Sequence, residues 1–259
     1  MQAGQRSGTL RPSSRVTAAV YVGCAGWNLP RAEQPHFPRA GSHLERYAAV
    51  FPAVEINSSF YRPHRPATYA RWAASVPADF RFSVKVPRAI THERRLKESD
   101  ALLDAFLAEA TALGPSLGCL LVQLPPSLTL DARAAESFLA ALRARYAGAV
   151  AAEPRHASWF APDAERLLGE YRVARVAADP ARVPAAAQPG GWPGLVYYRL
   201  HGSPEMYYSA YAAAYLDALA ERLTALARSD VPAWCIFDNT ALGAATRNAL
   251  KLLERLGRG

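Results

Sequence analysis

The chain has 259 residues, 51% of them hydrophobic and 20% charged, enough for one domain with a sizeable core. No apolar run approaches the roughly 20 residues needed to cross a bilayer, so the composition argues against a helical membrane protein and for a soluble, cytoplasmic one without a membrane partner. The formal net charge of +8 is a weak pointer to an anionic partner, because three of those charges are arginines among the first fifteen residues.

Residues 1–17 hold no acidic side chain and no apolar centre of the kind a signal peptide carries. They are expected to be a disordered basic tail, with one domain over residues 18–259. Eight short apolar runs bounded by turn residues follow: Ala19 to Ala25, Ala53 to Asn57, Phe80 to Val86, Gly118 to Leu124, Ala149 to Glu153, Ala174 to Asp179, Leu195 to His201 and Ala233 to Asp238. Segments with helical spacing lie between and after them: LERYAAVF, ATYARWAASV, SDALLDAFLAEATAL, AAESFLAALRARY, DAERLLGEY, AYLDALAERLTALA and ATRNALKLLERL. Strand alternating with helix is the pattern of a parallel sheet. The first run continues as VGCAGWNLP, without a Gly-rich dinucleotide fingerprint. The expectation is therefore an α/β fold, a single closed parallel (β/α)8 TIM-type barrel, rather than an open doubly wound sheet. Cys24, Cys119 and Cys235 each fall in an apolar run without metal-ligand spacing, and read as buried free thiols of a reducing compartment.

Strands buried on both faces should be apolar throughout. The departures gather late in the runs: Glu55 and Asn57, Lys85, Gln123, Glu153 followed by Arg155, Asp179, Arg199 with His201, and Asp238 followed by Asn239. Alternation of side chains puts Glu55 with Asn57, Glu153 with Arg155, and Arg199 with His201 on one side of their strands. Barrel enzymes place their chemistry at the C-terminal ends of the strands, so one pocket there explains all of these residues. The competing reading is that the charges pair with one another and plug the mouth.

Within that pocket Glu55, Lys85, Glu153 and His201 are the catalytic candidates. Lysine occurs only at Lys85, Lys97 and Lys251 in a chain that otherwise uses arginine. A lysine in an apolar strand is suited to forming a Schiff base, giving up a proton or holding a phosphate. Glu55 and Glu153 can supply general acid and base. His201 can shuttle a proton, and Arg199 can grip an oxyanion in bidentate fashion.

The substrate-binding candidates are Trp27, Asn57, Tyr61, Gln123, Arg155, Asp179, Arg199, Asp238 and Asn239. Trp27, Phe60, Tyr61, Trp159, Tyr207, Tyr208 and Tyr211 follow strands and would either pack or make a stacking platform. A divalent metal would draw on Glu55, Glu153, Asp179, His201 and Asp238. Because Lys85 and two arginines already supply positive charge there, a divalent metal is the less favoured reading, and no other cofactor is expected.

The chain resembles the YecE-like family, domain of unknown function 72. The stretches that carry the resemblance are VGCAGW, FPAVEINSSFYRPHRPATYARWAASVPADFRFSVKVPRAITH, LVQLPP, EPRHASWF, VYYRLHG and FDNTALGAATRNAL, in order from Val22 to about Leu250. The resemblance implies a β/α barrel and implies no reaction. Members often carry Asn-Asn where this chain has Asp238-Asn239.

The functional expectation from the residues is an enzyme, a hydrolase or lyase, working by acid/base chemistry on a small anionic or sugar-like substrate that bears phosphate. The alternatives are a barrel that binds nucleic acid or cleaves phosphodiesters, and a non-catalytic ligand-binding barrel. Fold alone does not choose among them.

Overall fold

A computed structural model describes residues 19–257; the tail expected over residues 1–17 lies outside the described residues. All seven segments with helical spacing are helices: α1 His43–Ala48, α2 Pro66–Ala74, α3 Asp100–Ala110, α4 Ala132–Arg145, α5 Pro162–Glu170, α6 Ala213–Ala227 and α7 Ala244–Arg255. Their starts carry local signals. Ser42 and Glu45 make a capping box on α1, Asp131 caps α4, and Pro66 and Pro162 open α2 and α5, where a missing N–H costs nothing. Among the described residues no helix is long and apolar enough to cross a membrane.

The strands are β1 Val20–Cys24, β2 Ala53–Ile56, β3 Arg81–Lys85, β4 Leu117–Gln123, β5 Val150–Glu153, β6 Val173–Arg175, β7 Ala177–Asp179, β8 Gly190–Gly191, β9 Val196–Leu200 and β10 Ala233–Phe237. They do not form the single closed eight-stranded barrel expected above. Their ladders make two sheets, a parallel one in the order β1-β10-β9-β7 and a mixed one in the order β2-β3-β4-β5-β6-β8.

Two local features produce this outcome. The run from Ala174 to Asp179 divides at Val176, so that β6 pairs with β5 while β7 pairs with β9. The connector after it, ARVPAAAQPGGWPG, is too rich in Pro and Gly to make a crossover helix. Instead β8 returns antiparallel along the edge of β6, held by Glu165, which pairs with Arg175 and accepts from Gly191 N.

At the other seam, β1 and β2 share a single bridge between Ala25 and Glu55. Tyr47 of α1 enters there. Its hydroxyl accepts from Cys24 N at 2.8 Å and donates to Ala53 O at 3.1 Å, standing where ladder hydrogen bonds would be.

Between the sheets lies an inner apolar layer in which Leu121, Ala151 and Ala174 meet Tyr197, Trp234 and Ile236. The Tyr197 and Trp234 rings stack at 5.9 Å. A larger apolar layer packs the outer strand faces against the helices. Cys24, Cys119 and Cys235 are free and buried, as expected, and burial pushes the Cys24 thiol up to about 12. All strand pairs except β6 with β8 are parallel, so polar residues late in β2, β3, β4, β5, β9 and β10 share one end of the molecule.

Candidate functional site

At that end a charged network rests on the inner apolar layer. Arg199 of β9 is its centre and is fully buried. Its Nε lies 3.0 Å from Glu55 Oε2, its Nη2 2.8 Å from Glu55 Oε1 and 3.0 Å from Asp238 Oδ2, and its Nη1 3.0 Å from Glu153 Oε2. Tyr197, two residues earlier on β9, donates to Glu55 Oε2 at 3.0 Å. Glu153 is saturated by Gln123 at 2.9 Å, by Arg155 through two bonds of 3.0 and 3.1 Å, and by His201 Nε2 at 2.9 Å. The other ring nitrogen of His201, Nδ1, faces Asp238 Oδ2 at 3.0 Å.

Burial would discharge such groups, but here the partners outweigh it. Against its burial, Arg199 is held charged by Asp238, Glu55 and Glu153, well above the usual guanidinium range. Glu153 is likewise kept well below the carboxylate range, by His201, Arg199 and Arg155. Asp238 is lowered by Arg199 and His201 in spite of its burial. For His201 burial again opposes the charge, and Glu153 and Asp238 overcome it, so the imidazolium is favoured.

Lys85 is different. It is 4% exposed, yet among the described residues its Nζ pairs with no carboxylate within 4 Å; it sits 4.0 Å over the face of Phe60. The acids around it are claimed by Arg199, Arg155 and His201. Burial first, and then the charge of Arg199, lower its amine to about 8 against the pull of Glu55, Asp238 and Glu153.

Above Lys85 opens a cavity of about 470 Å³, lined on its polar side by Asn57, Lys85, Arg88, His92, Gln123 and Asp238, with Tyr61 and Tyr207 at its walls. The amide oxygen of Asn57 is buried and has no hydrogen-bond partner. Asp238 uses only Oδ2 in its ion pairs. His92, half-buried, is lowered to about 4 by that burial and by the charges of Lys85, Arg155 and Arg88, and is neutral at physiological pH.

The structure thus brings together Asn57, Tyr61, Lys85, Gln123 and Asp238 at one cavity, and Glu55, Glu153, Arg155, Arg199 and His201 in the network beneath and beside it. Trp27, Asp179 and Asn239 stand apart from the cavity. Trp27 packs edge-on against Trp72 at 5.0 Å. Asp179 lies 2.9 Å from the Tyr211 hydroxyl, which accepts from Gly202 N. Asn239 donates to Ser209 O and to Asn248 of α7, tying down the loop after β9. Among the described residues no three His, Cys, Asp or Glu side chains converge as a metal-ligand set.

Sequence reasoning passed over Arg88 and His92. Both belong to the turn after β3, where Ala89–Glu93 forms a π-helical turn. No strand alternation marks them, because β3 ends at Lys85.

A family model described as "Protein of unknown function DUF72" matches residues 21–259. The chain belongs to the DUF72 family. It is 33% identical over 174 residues to the UPF0759 protein YecE of Escherichia coli K12, covering 64% of this chain and 61% of YecE. It is 28% identical over 113 residues to the UPF0759 protein YunF of Bacillus subtilis, covering 41% of this chain and 40% of YunF. The chain therefore spans about three fifths or less of the length of these curated relatives. A DUF72 family protein of Thermotoga maritima superposes with a TM-score of 0.76 at 25% identity, over 92% of this chain and 99% of the other. One from Enterococcus faecalis gives 0.76 at 22% identity, over 92% and 95%, a likeness of fold.

Proposed function

We propose that the cavity above Lys85 is the active site of an enzyme that acts by acid/base chemistry on a small, polar substrate carrying an anionic group such as a phosphate. The observation that carries this reading is Lys85 itself: a buried amine with no carboxylate partner, opening onto a polar cavity while the charges around it are paired. A lysine kept only for stability would be paired or exposed, since burying an unpaired charge is costly.

The roles divide by position. Lys85 and Asp238 face the reacting atoms, and Arg88 meets the anionic group at the wall. Asn57 and Gln123 offer amide groups to hydroxyls, and His92, neutral, serves as a proton acceptor. Arg199, expected to grip the substrate, is saturated by Glu55, Glu153 and Asp238. In this reading Glu55, Glu153, Arg199 and His201 position Asp238 and set the field at Lys85. Glycoside hydrolysis gains no support, because the Arg199 guanidinium bonds both Glu55 and Glu153 and leaves no room for a glycosidic oxygen between them.

A second reading has one observation in its favour. Tyr61, Tyr207 and Tyr208, after β2 and β9, are 67%, 38% and 47% exposed, and exposed aromatics can stack nucleic-acid bases. The test is thermal unfolding with phosphorylated sugars, nucleotides and short DNA, repeated on Lys85→Ala. Stabilisation by a small phosphorylated compound, lost in the variant, supports the enzyme reading. Stabilisation by DNA alone, falling steeply with salt, transfers support to the nucleic-acid reading. Absence of any shift counts against both.

A further inference from the structure

We infer that Lys85 is a covalent nucleophile, which forms a Schiff base with a small hydroxylated aldehyde or ketone bound in the cavity. The inference rests on the cavity being a substrate site and goes beyond it by naming the reacting group and the substrate class.

Three features point to a carbonyl substrate rather than to simple anion binding. The first is that Lys85 is prevented from resting in an ion pair. Glu55, Glu153 and Asp238 are all near enough to act on it electrostatically, yet each is engaged by Arg199, and two of them also by His201. An anion anchor works only as the charged ammonium, whereas at Lys85 burial disfavours that charge and the face of Phe60 at 4.0 Å offsets the cost only in part. A nucleophilic amine gains directly, because only its neutral form attacks. Burial and the Arg199 charge lower it to about 8, which at pH 7.5 leaves roughly 200-fold more neutral amine than an ordinary lysine has.

The second feature is Asp238. Its Oδ2 is fixed by Arg199 and His201, each at 3.0 Å, while Oδ1 makes no hydrogen bond among the described residues and the side chain lines the same cavity as Lys85. It is placed to relay the protons that imine formation requires. The neutral Lys85 amine adds to the carbonyl carbon, forming a C–N bond. The proton of the resulting ammonium passes through Asp238 to the former carbonyl oxygen. The hydroxyl so formed takes a second proton, passed in from bulk solvent through the same carboxylate, and leaves as water while the nitrogen lone pair closes the C=N bond. The balance is amine plus carbonyl plus one proton giving iminium plus water, with no oxidant or reductant.

The third feature is the buried amide oxygen of Asn57, which has no partner and belongs to a residue lining the cavity. A buried acceptor without a donor costs free energy, and a substrate hydroxyl would satisfy it. Together these features describe a hydroxy-aldehyde or hydroxy-ketone whose anionic group reaches Arg88. Once the iminium forms, it draws electrons from the adjacent carbon, and neutral His92 is the available base for a proton there.

The chain suits a direct test, since Lys85, Lys97 and Lys251 are its only lysines. The protein is incubated separately with dihydroxyacetone phosphate, glyceraldehyde 3-phosphate, ribose 5-phosphate and pyruvate, reduced with cyanoborohydride, and mapped by peptide mass. The expected result is a secondary amine at Lys85, adding the mass of the probe less one oxygen, with labelling about tenfold above Lys97 and Lys251. Its yield should rise with pH through about 8, whereas labelling of the other two keeps rising to higher pH. Equal labelling of the three lysines, or none at Lys85 with any probe, overturns the inference. Thermal unfolding with the same four probes separates the two failures: stabilisation that Lys85→Arg preserves, without trapping, leaves the cavity as an anion site and removes the Schiff base. Neither trapping nor stabilisation removes the substrate site as well.

Discussion

Arg199 meets Glu55 side-on, with Nε 3.0 Å from Oε2 and Nη2 2.8 Å from Oε1, and neither side chain is exposed to solvent. The pair joins β9 of one sheet to β2 of the other, so it is a cross-tie between sheets as well as the floor of the cavity.

Removing that cross-tie should be costly. Arg199→Met leaves Glu55, Glu153 and Asp238 buried without their shared counter-charge, and breaking a buried pair in this way costs about 3–5 kcal/mol. The stranded carboxylates would then favour their protonated forms, with folded pKa values raised above the unfolded ones. Stability of the variant should therefore recover as pH falls through those raised values, and the gap to the parent protein should narrow between pH 7 and pH 5. Urea unfolding at the two pH values measures this; a gap that does not narrow would show that lost packing, rather than stranded charge, sets the cost.

Lys85→Met should act in the opposite direction. The folded state lowers the Lys85 amine to about 8, below the ordinary 10.5, so at pH 7 the folded protein bears the cost of a charge it disfavours. Replacing the amine by an apolar side chain of similar length should stabilise the protein by about 1–3 kcal/mol at pH 7. In the parent the unfolded chain binds the extra proton between about 8 and 10.5, so this contribution to stability rises with pH across that window. A variant that is less stable than the parent at pH 7 would show that Lys85 is held by the network after all.

His201 predicts a pH dependence of its own. Although burial opposes it, Glu153 and Asp238 raise its folded pKa, so its contribution is fully present below the ordinary imidazole value and is lost as pH rises through the folded value. His201→Gln should therefore cost more stability at pH 5.5 than at pH 9. Equal losses at both pH values would assign His201 a role in packing alone.

These residues were legible in the sequence for a simple reason. A strand covered on both faces tolerates only apolar side chains, so Glu55, Lys85, Glu153 and Arg199 stood out without any coordinates. What they do to one another was not legible, because Arg199 reaches partners 144 and 46 residues away, and sequence spacing carries no such distance. Trp27, Asp179 and Asn239 were assigned to the site from their places at or just after strand ends, and such a place does not fix which way a side chain turns. Arg88 and His92 were missed because they lie in a turn that has no strand alternation. The break at Val176 gave no signal, since an apolar residue in an apolar run marks nothing. Gly190–Gly191 carries no side-chain pattern at all, and a two-residue strand there takes the edge of β6. Barrel closure thus failed at the two places where backbone pairing, and not side-chain pattern, decides the outcome.

The seam between β1 and β2 provides the last test. Tyr47 is fully buried, and its hydroxyl serves a β1 amide and a β2 carbonyl at once. Gly23 makes the approach possible: a Cβ there would stand 2.1 Å from Ala53 O, far inside contact distance and against backbone, which cannot swing away. Tyr47→Phe keeps the ring but strands both backbone groups, and should cost about 1–3 kcal/mol. Gly23→Ala forces the two strands apart, so it should cost at least as much. It should also loosen the bridge between Ala25 and Glu55. Because Glu55 follows that bridge directly into the Arg199 network, the two substitutions should differ in reach. Tyr47→Phe should lower the unfolding midpoint and leave probe binding at the cavity unchanged, whereas Gly23→Ala should weaken both. Hydrogen exchange at Gly26 N, which bonds Glu55 O at 2.9 Å, reads the difference directly: faster exchange in Gly23→Ala alone fits a displaced strand, and equal exchange in both variants would mean that the hydroxyl, not the close approach, holds the seam.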